Sequence, residues 1–219
     1  MNLRIPGPIP VPSDIIEKMA MPMINHRGPE FKDLLHNVTT KLKQVFETDS
    51  DIFILSTSGT GALETAIVNT LSPGDVVLSA SAGAFGDRFA DIAESHGATV
   101  IRLKVPWGNA ITPNDIELAL TNNNAITAVL VTHNETSTGV TIDLEAIAVV
   151  VKAFDKLLLV DGVSSVSSIP LRTDAWNCDV VATASQKGWS VPPGLAFVSF
   201  SKVVSAEPND TDNSSGISS

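Results

Sequence analysis

The 219-residue chain has one cysteine, no cluster of lysine or arginine, and no apolar run of membrane-spanning length. Cys178 has no internal partner, so the disulfide framework of a small secreted domain is excluded and a reducing compartment is expected. Lys and Arg number 14 against 24 Asp and Glu, a net charge of -10, which argues against a nucleic-acid partner. The apolar runs Ala146 to Val151 and Leu157 to Val160 fall far below the roughly 18 residues that span a bilayer, so no membrane partner is expected. His26, His36, His96 and His133 lack ligand spacing with one another and with Cys178, so no metal is expected. The opening MNLRIPGPIPVPSD has four prolines and no apolar signal-peptide core, which points to a cytoplasmic protein.

What is present is the composition of a globular chain, 43% hydrophobic and 17% charged. At this length roughly 70% of the unfolded surface becomes buried, enough for one large domain. Short β-branched runs alternate with helix-period segments, the pattern of βαβ units. Seven strands are expected, at 51–55, 76–79, 99–105, 128–132, 157–160, 180–183 and 195–200. Helices are expected over 30–46, 62–71, after Gly86, from Thr112 and over 144–154. In the first of these Phe31, Leu34, Leu35, Val38, Leu42, Val45 and Phe46 form an apolar stripe opposite a Lys-rich face. Thr112-Pro113-Asn114-Asp115 is a helix start with a threonine cap, proline at the first position and an acid at the third. The expected fold class is therefore α/β, a three-layer αβα sandwich on a mostly parallel sheet of about seven strands. Residues 1–25 are expected to be an extended N-terminal segment, 26–204 a single large domain, and 205–219, with Ile217 and Ala206 alone apolar, a disordered polar tail.

Three segments carry chemistry. Ser56-Thr57-Ser58-Gly59-Thr60-Gly61 joins a strand to a helix, and its hydroxyls and helix-start amides suit a phosphate; a plain capped turn needs the same residues. It is neither a Walker A loop nor a dinucleotide fingerprint. Asp161 ends a buried strand, at the edge where open α/β sheets bind ligands, although a cap or an internal ion pair also uses an acid there. Lys187 lies between a strand and a Pro192-Pro193-Gly194 turn. Desolvation there makes the amine a Schiff-base nucleophile, whereas solvation leaves an ordinary loop lysine. Together a phosphate cradle, an acid and an amine are what pyridoxal 5'-phosphate requires.

These segments, with Pro6-Gly7-Pro8, His26-Arg27-Gly28-Pro29, His133-Asn134-Glu135-Thr136-Ser137-Thr138-Gly139 and Ser185-Gln186-Lys187-Gly188, stand in the order found in one enzyme family. From about Pro6 to Lys202 the chain resembles the large domain of a class V aminotransferase, of the alanine–glyoxylate and serine–glyoxylate (serine–pyruvate) group. The resemblance implies a fold type I pyridoxal phosphate enzyme, a homodimer, that moves an amino group from alanine or serine to glyoxylate or pyruvate through a Lys187 Schiff base. It implies that Asp161 pairs with the pyridine nitrogen, that Ser58, Gly59, Thr60 and Gln186 line the phosphate cup, and that Phe85 and Val163 face the ring from opposite sides. It further implies Thr136 at the ring hydroxyl and Gly7 on the substrate side. Phe85 taken alone, near a helix start, reads as core rather than as a stacking ring. Cysteine desulfurases, similar in fold, have histidine where Gln186 stands. The family continues past the lysine motif into a smaller domain that supplies the substrate-carboxylate arginine, and Arg4, Arg27, Arg88, Arg102 and Arg172 include no match to it. A truncated remnant without turnover, and a class V lyase, are the alternative readings.

Overall fold

A computed structural model describes residues 3–205. Helices α1 (Ser13–Met19) and α2 (Pro29–Phe46) precede β1 (Asp51–Leu55), α3 (Gly59–Val68), β2 (Val76–Ser81), α4 (Ala84–Ser95), β3 (Thr99–Lys104), α5 (Pro113–Asn122) and β4 (Ile126–Thr132). A short hairpin, β5 (Asn134–Glu135) and β6 (Val140–Thr141), leads to α6 (Leu144–Ala153), β7 (Leu157–Asp161), β8 (Val180–Ala184), β9 (Ala196–Phe200) and α7 (Lys202–Ser205).

The main sheet has seven strands in the order β1-β9-β8-β7-β4-β2-β3, parallel except for β9, which runs against both neighbours. Alternation within each strand divides the core between two faces. On β4, Ala128 and Leu130 join Ala62, Leu63, Phe89 and Ala93 of α3 and α4. Val129 and Val131 point the other way, to Phe46, Ile116, Leu120 and Ile147 of α2, α5 and α6. This is the three-layer sandwich expected from strands buried on both sides. The order reverses between β2 and β4, because α4 carries the chain outward to β3 on one face while α6 carries it to β7 on the other. A crevice at the carboxyl end of such a sheet is the favoured ligand position.

Local signals set the helix starts. Thr112 and Asp115 form a reciprocal capping box with Pro113 in the first turn. Ser58 Oγ accepts from Gly61 N at 3.3 Å, so α3 starts at Gly59, three residues before the sequence expectation. Three expectations are corrected. Residues 1–25 are not extended throughout, since α1 occupies Ser13–Met19. The apolar stripe of α2 is only half covered: Leu42 and Phe46 are buried with Val38 packed beside them, whereas Leu34, Leu35 and Val45 are exposed because the core meets this helix only along Val38, Leu42 and Phe46. The folded chain, expected to end at 204, runs through Ser205, the last residue of α7. The expected disordered tail lies, after Ser205, outside the described residues.

Candidate active site

One crevice of about 170 Å³ is lined by Ser58, Gly59, Thr60, Leu63, Phe85, Arg88, Asp161, Val163, Gln186 and Lys187. Each follows or ends a parallel strand (β1, β2, β7 or β8), so the carboxyl edge of the sheet brings together groups up to about 130 positions apart in sequence. Eight of the ten residues expected at a site line it. Thr136 does not; it sits on the hairpin turn beside it. Gly7 does not either, but the segment carrying it closes on the lysine.

Asp161 ends β7 and is 4% exposed. Its Oδ1 accepts from Val163 N at 2.9 Å, and among the described residues its Oδ2 has Thr132 Oγ1 alone, at 3.4 Å. Burial pushes the carboxyl up from its ordinary 3.8 to about 6, the Val163 amide opposes the rise, and the charge of Glu135 adds to it. A desolvated acid with one good donor and a spare oxygen is suited to a further N–H or cation.

Lys187 leaves the end of β8 through a turn in which Ser190 N donates to Lys187 O at 3.0 Å. Trp189, two residues on, packs on Phe197 and Phe46 with ring centroids 5.0 and 5.8 Å away, and so pins this turn to the core. The Lys187 ammonium donates to Pro6 O at 3.0 Å, and among the described residues no carboxylate lies within ion-pair distance of it. Burial lowers its pKa, against a smaller opposing pull from Asp161. Ile9 N donates to Gln186 O at 3.2 Å, which lays the Pro6–Ile9 strap across the amine. Gly7 has φ +143°, and a Cβ there would stand 2.9 Å from Lys187 Nζ, so any side chain at this position collides with the lysine.

Ser58, Gly59 and Thr60, at the start of α3 where the first-turn amides have no intrahelical partner, line the same crevice, and among the described residues the buried Gln186 Oε1 there has no hydrogen-bond partner. Phe85 forms one wall, with the Arg88 guanidinium 5.1 Å from its ring centroid. This donor set fits pyridoxal phosphate: amides and hydroxyls for a phosphate, a basic acid for a ring N–H, an aromatic wall and a depressed amine.

Sequence reasoning missed Arg88, Leu63, Trp189 and Glu135 as parts of the site. Arg88 lies one helical turn after Phe85, and that i, i+3 spacing was the signal available for it.

His133, next to the site, serves structure. It is 3% exposed, meets Trp176 edge-on at 6.1 Å, and leaves Nδ1 without a partner. Burial lowers its pKa from 6.5 to about 4. The folded state therefore resists protonation that the unfolded chain accepts, and stability is lost as pH falls from about 6.5 toward 4. The loss is expected to be about 2–3 kcal/mol. Urea melts between pH 7.5 and 4 read it, and His133→Phe flattens that part of the profile; an unchanged profile in the variant refutes the assignment. Cys178 is buried, and burial pushes its thiol up to about 12, which makes it an inert packing residue. Among the described residues no cluster has the makings of a metal site, and no helix is long and apolar enough to cross a membrane.

Comparison with known proteins agrees with this geometry. The family Aminotransferase class-V matches residues 17–216. The chain is 44% identical over 202 residues to an L-aspartate–glyoxylate aminotransferase of Paracoccus denitrificans, covering 90% of this chain and 51% of that protein. It is 43% identical over 202 residues to a Synechococcus protein named soluble hydrogenase small subunit, covering 91% and 53% respectively. The crystal structure of an alanine–glyoxylate aminotransferase from a Nostoc species superposes with a TM-score of 0.89 at 33% identity, over 92% of this chain and 54% of that one. The chain thus spans about half the length of the relatives it matches.

Proposed function

The chain belongs to the class V aminotransferases, and from that premise we propose that its crevice holds pyridoxal 5'-phosphate and that it moves an amino group from a small amino acid to a 2-oxo acid. The observation that carries this reading is the pairing, in one crevice, of a desolvated acid, Asp161, with a depressed amine, Lys187, beside the free amides of α3. Bound there, the cofactor supplies an aldehyde for amines and a ring that withdraws electrons from the α-carbon of an amino acid. Lys187 Nζ is the nucleophile toward that aldehyde, and once released it carries the proton to and from the α-carbon. Asp161 holds a proton on the ring nitrogen, for which its raised basicity suits it. Ser58, Thr60, the Gly59 amide and Gln186 take the phosphate, while Phe85 and Val163 hold the ring between them. Thr136 takes the ring hydroxyl, and Gly7 keeps space open on the substrate side.

Glyoxylate is favoured as acceptor because the aspartate- and alanine-named relatives both carry it in their names. Alanine or serine is our choice of donor. The hydrogenase name of one relative finds no support in the crevice, which is lined by hydroxyls, amides, an acid, an amine and a guanidinium. We also place the protein in the cytoplasm as a homodimer, a state that would cover Leu34, Leu35 and Val45 of α2. The half-length match favours one further reading, a cofactor-binding half without turnover.

Adding pyridoxal phosphate to the 219-residue chain should produce an absorption band near the visible edge that borohydride bleaches, and alanine or serine should then shift it. No band refutes the cofactor site. A band that no amino acid perturbs leaves the half without turnover, and product formed in excess of one equivalent per chain with no 2-oxo acid present identifies a lyase.

A further inference from the structure

We propose that Glu135 is the positioning residue of this site: its carboxylate ties the first turn of α4, which carries Phe85, to the hairpin that carries Thr136, and so sets where the aromatic wall stands. The proposal rests on the cofactor reading above.

Glu135 is 0% exposed, yet among the described residues no lysine or arginine pairs with it. Its charge is met by donors from the first turn of α4 and from the hairpin turn. Oε2 accepts from Phe85 N at 3.1 Å and Gly86 N at 3.0 Å, while Oε1 accepts from Ser137 N at 3.1 Å and Ser137 Oγ at 2.7 Å. Helix α4 has no side-chain cap of its own, because Gly83 stands at the cap position. An acid delivered from a different strand does that work, and its charge suits the positive end of the helix. Ser137 Oγ passes the lock on by accepting from Ala84 N at 3.0 Å, and Thr138 Oγ1 donates to Ala82 O at 3.2 Å. A Cβ at Gly83 would come within 2.4 Å of Ser137 Oγ and 2.7 Å of Glu135 Cγ, so the two loops meet too closely for any side chain there.

This lock lies between β2 and β4, where the strand order reverses. Four converging donors require an acceptor at both oxygens. Glutamine offers one and points an NH₂ at the other pair, and aspartate is a methylene short. Glu135 also acts through space, since its charge is one of the causes that keep Asp161 basic, after burial itself.

A residue that served stability alone would change the melting temperature and leave the bound cofactor undisturbed. Glu135→Gln in the full chain, loaded with pyridoxal phosphate, is expected to keep the borohydride-sensitive band, since Lys187 is intact. Its visible circular dichroism should fall by at least half and cofactor release should speed up about tenfold, as expected when a wall group is displaced by a fraction of an ångström. Ser137→Ala, which removes one donor and no charge, should give the same changes to a smaller degree and serves if Glu135→Gln does not fold. Wild-type circular dichroism and release in the variant that folds overturn the proposal, even if its melting temperature falls. A wild-type chain with no band overturns the cofactor reading and this proposal with it. A wild-type band with unaffected variants overturns this proposal alone.

Discussion

On the proposed function, Lys187→Ala is expected to abolish the borohydride-sensitive band and to lower amino-group transfer by about a thousandfold or more. The basis is that one amine is asked to serve twice, as nucleophile toward the aldehyde and as the base at the α-carbon, and a positioned proton carrier alone contributes about 10²–10⁴-fold. Its environment is arranged for both tasks. Burial lowers its pKa, the Pro6 carbonyl holds the amine at 3.0 Å, and no carboxylate among the described residues pairs with it to keep it charged. Lys187→Arg separates charge from nucleophilicity, because guanidinium stays protonated and cannot attack. It should be as silent as alanine in the band while retaining more of the affinity for the phosphorylated ligand. A band that forms in Lys187→Ala and is bleached by borohydride would show that another amine is used and would remove the central claim.

Asp161→Asn is expected to move stability and binding in opposite directions. The carboxyl is raised from 3.8 to about 6 chiefly by burial, so in the ligand-free chain the ionised form is penalised. The sign follows from linkage: a raised acid costs nothing below pH 4, and its cost grows as pH rises through 6. Asparagine keeps an acceptor for Val163 N and avoids the buried charge. The variant should therefore match the wild type near pH 4 and exceed it by about 2–3 kcal/mol at pH 8. Its affinity for pyridoxal phosphate should fall by about a hundredfold, the order expected when one member of a buried charge-assisted pair is removed. Urea melts at the two pH values and a titration of the band measure both halves. A variant that is less stable at pH 8, or that binds as the wild type does, contradicts this account of Asp161. The trade is that of a site held in a costly state for a ligand.

How far the site could be read from the chain depended on the range of the interactions involved. Strands such as Leu157–Asp161 announce themselves because a parallel strand buried on both faces is apolar at every position. The start of α5 was legible because Thr112, Pro113 and Asp115 satisfy one another within four residues. The start of α3 was misplaced by three residues, since glycines weaken the helical pattern although Ser58 supplies the cap. The β5–β6 hairpin is two residues to a strand and leaves no periodicity to detect. The stripe on α2 was legible, but whether the sheet covers it was not: Leu42 and Phe46 reach the core and Leu34 does not.

The sequence by itself determined the family, the seven strands of the main sheet and the groups proposed to react, because local periodicity and short motifs encode them. Only the tertiary structure decided which of those groups stand together and in what state. The basicity of Asp161 and the depression of Lys187 arise from burial, and the Glu135 lock joins residues about 50 positions apart. Desolvation and through-space charge depend on packing from every side, and no window along the chain contains that information.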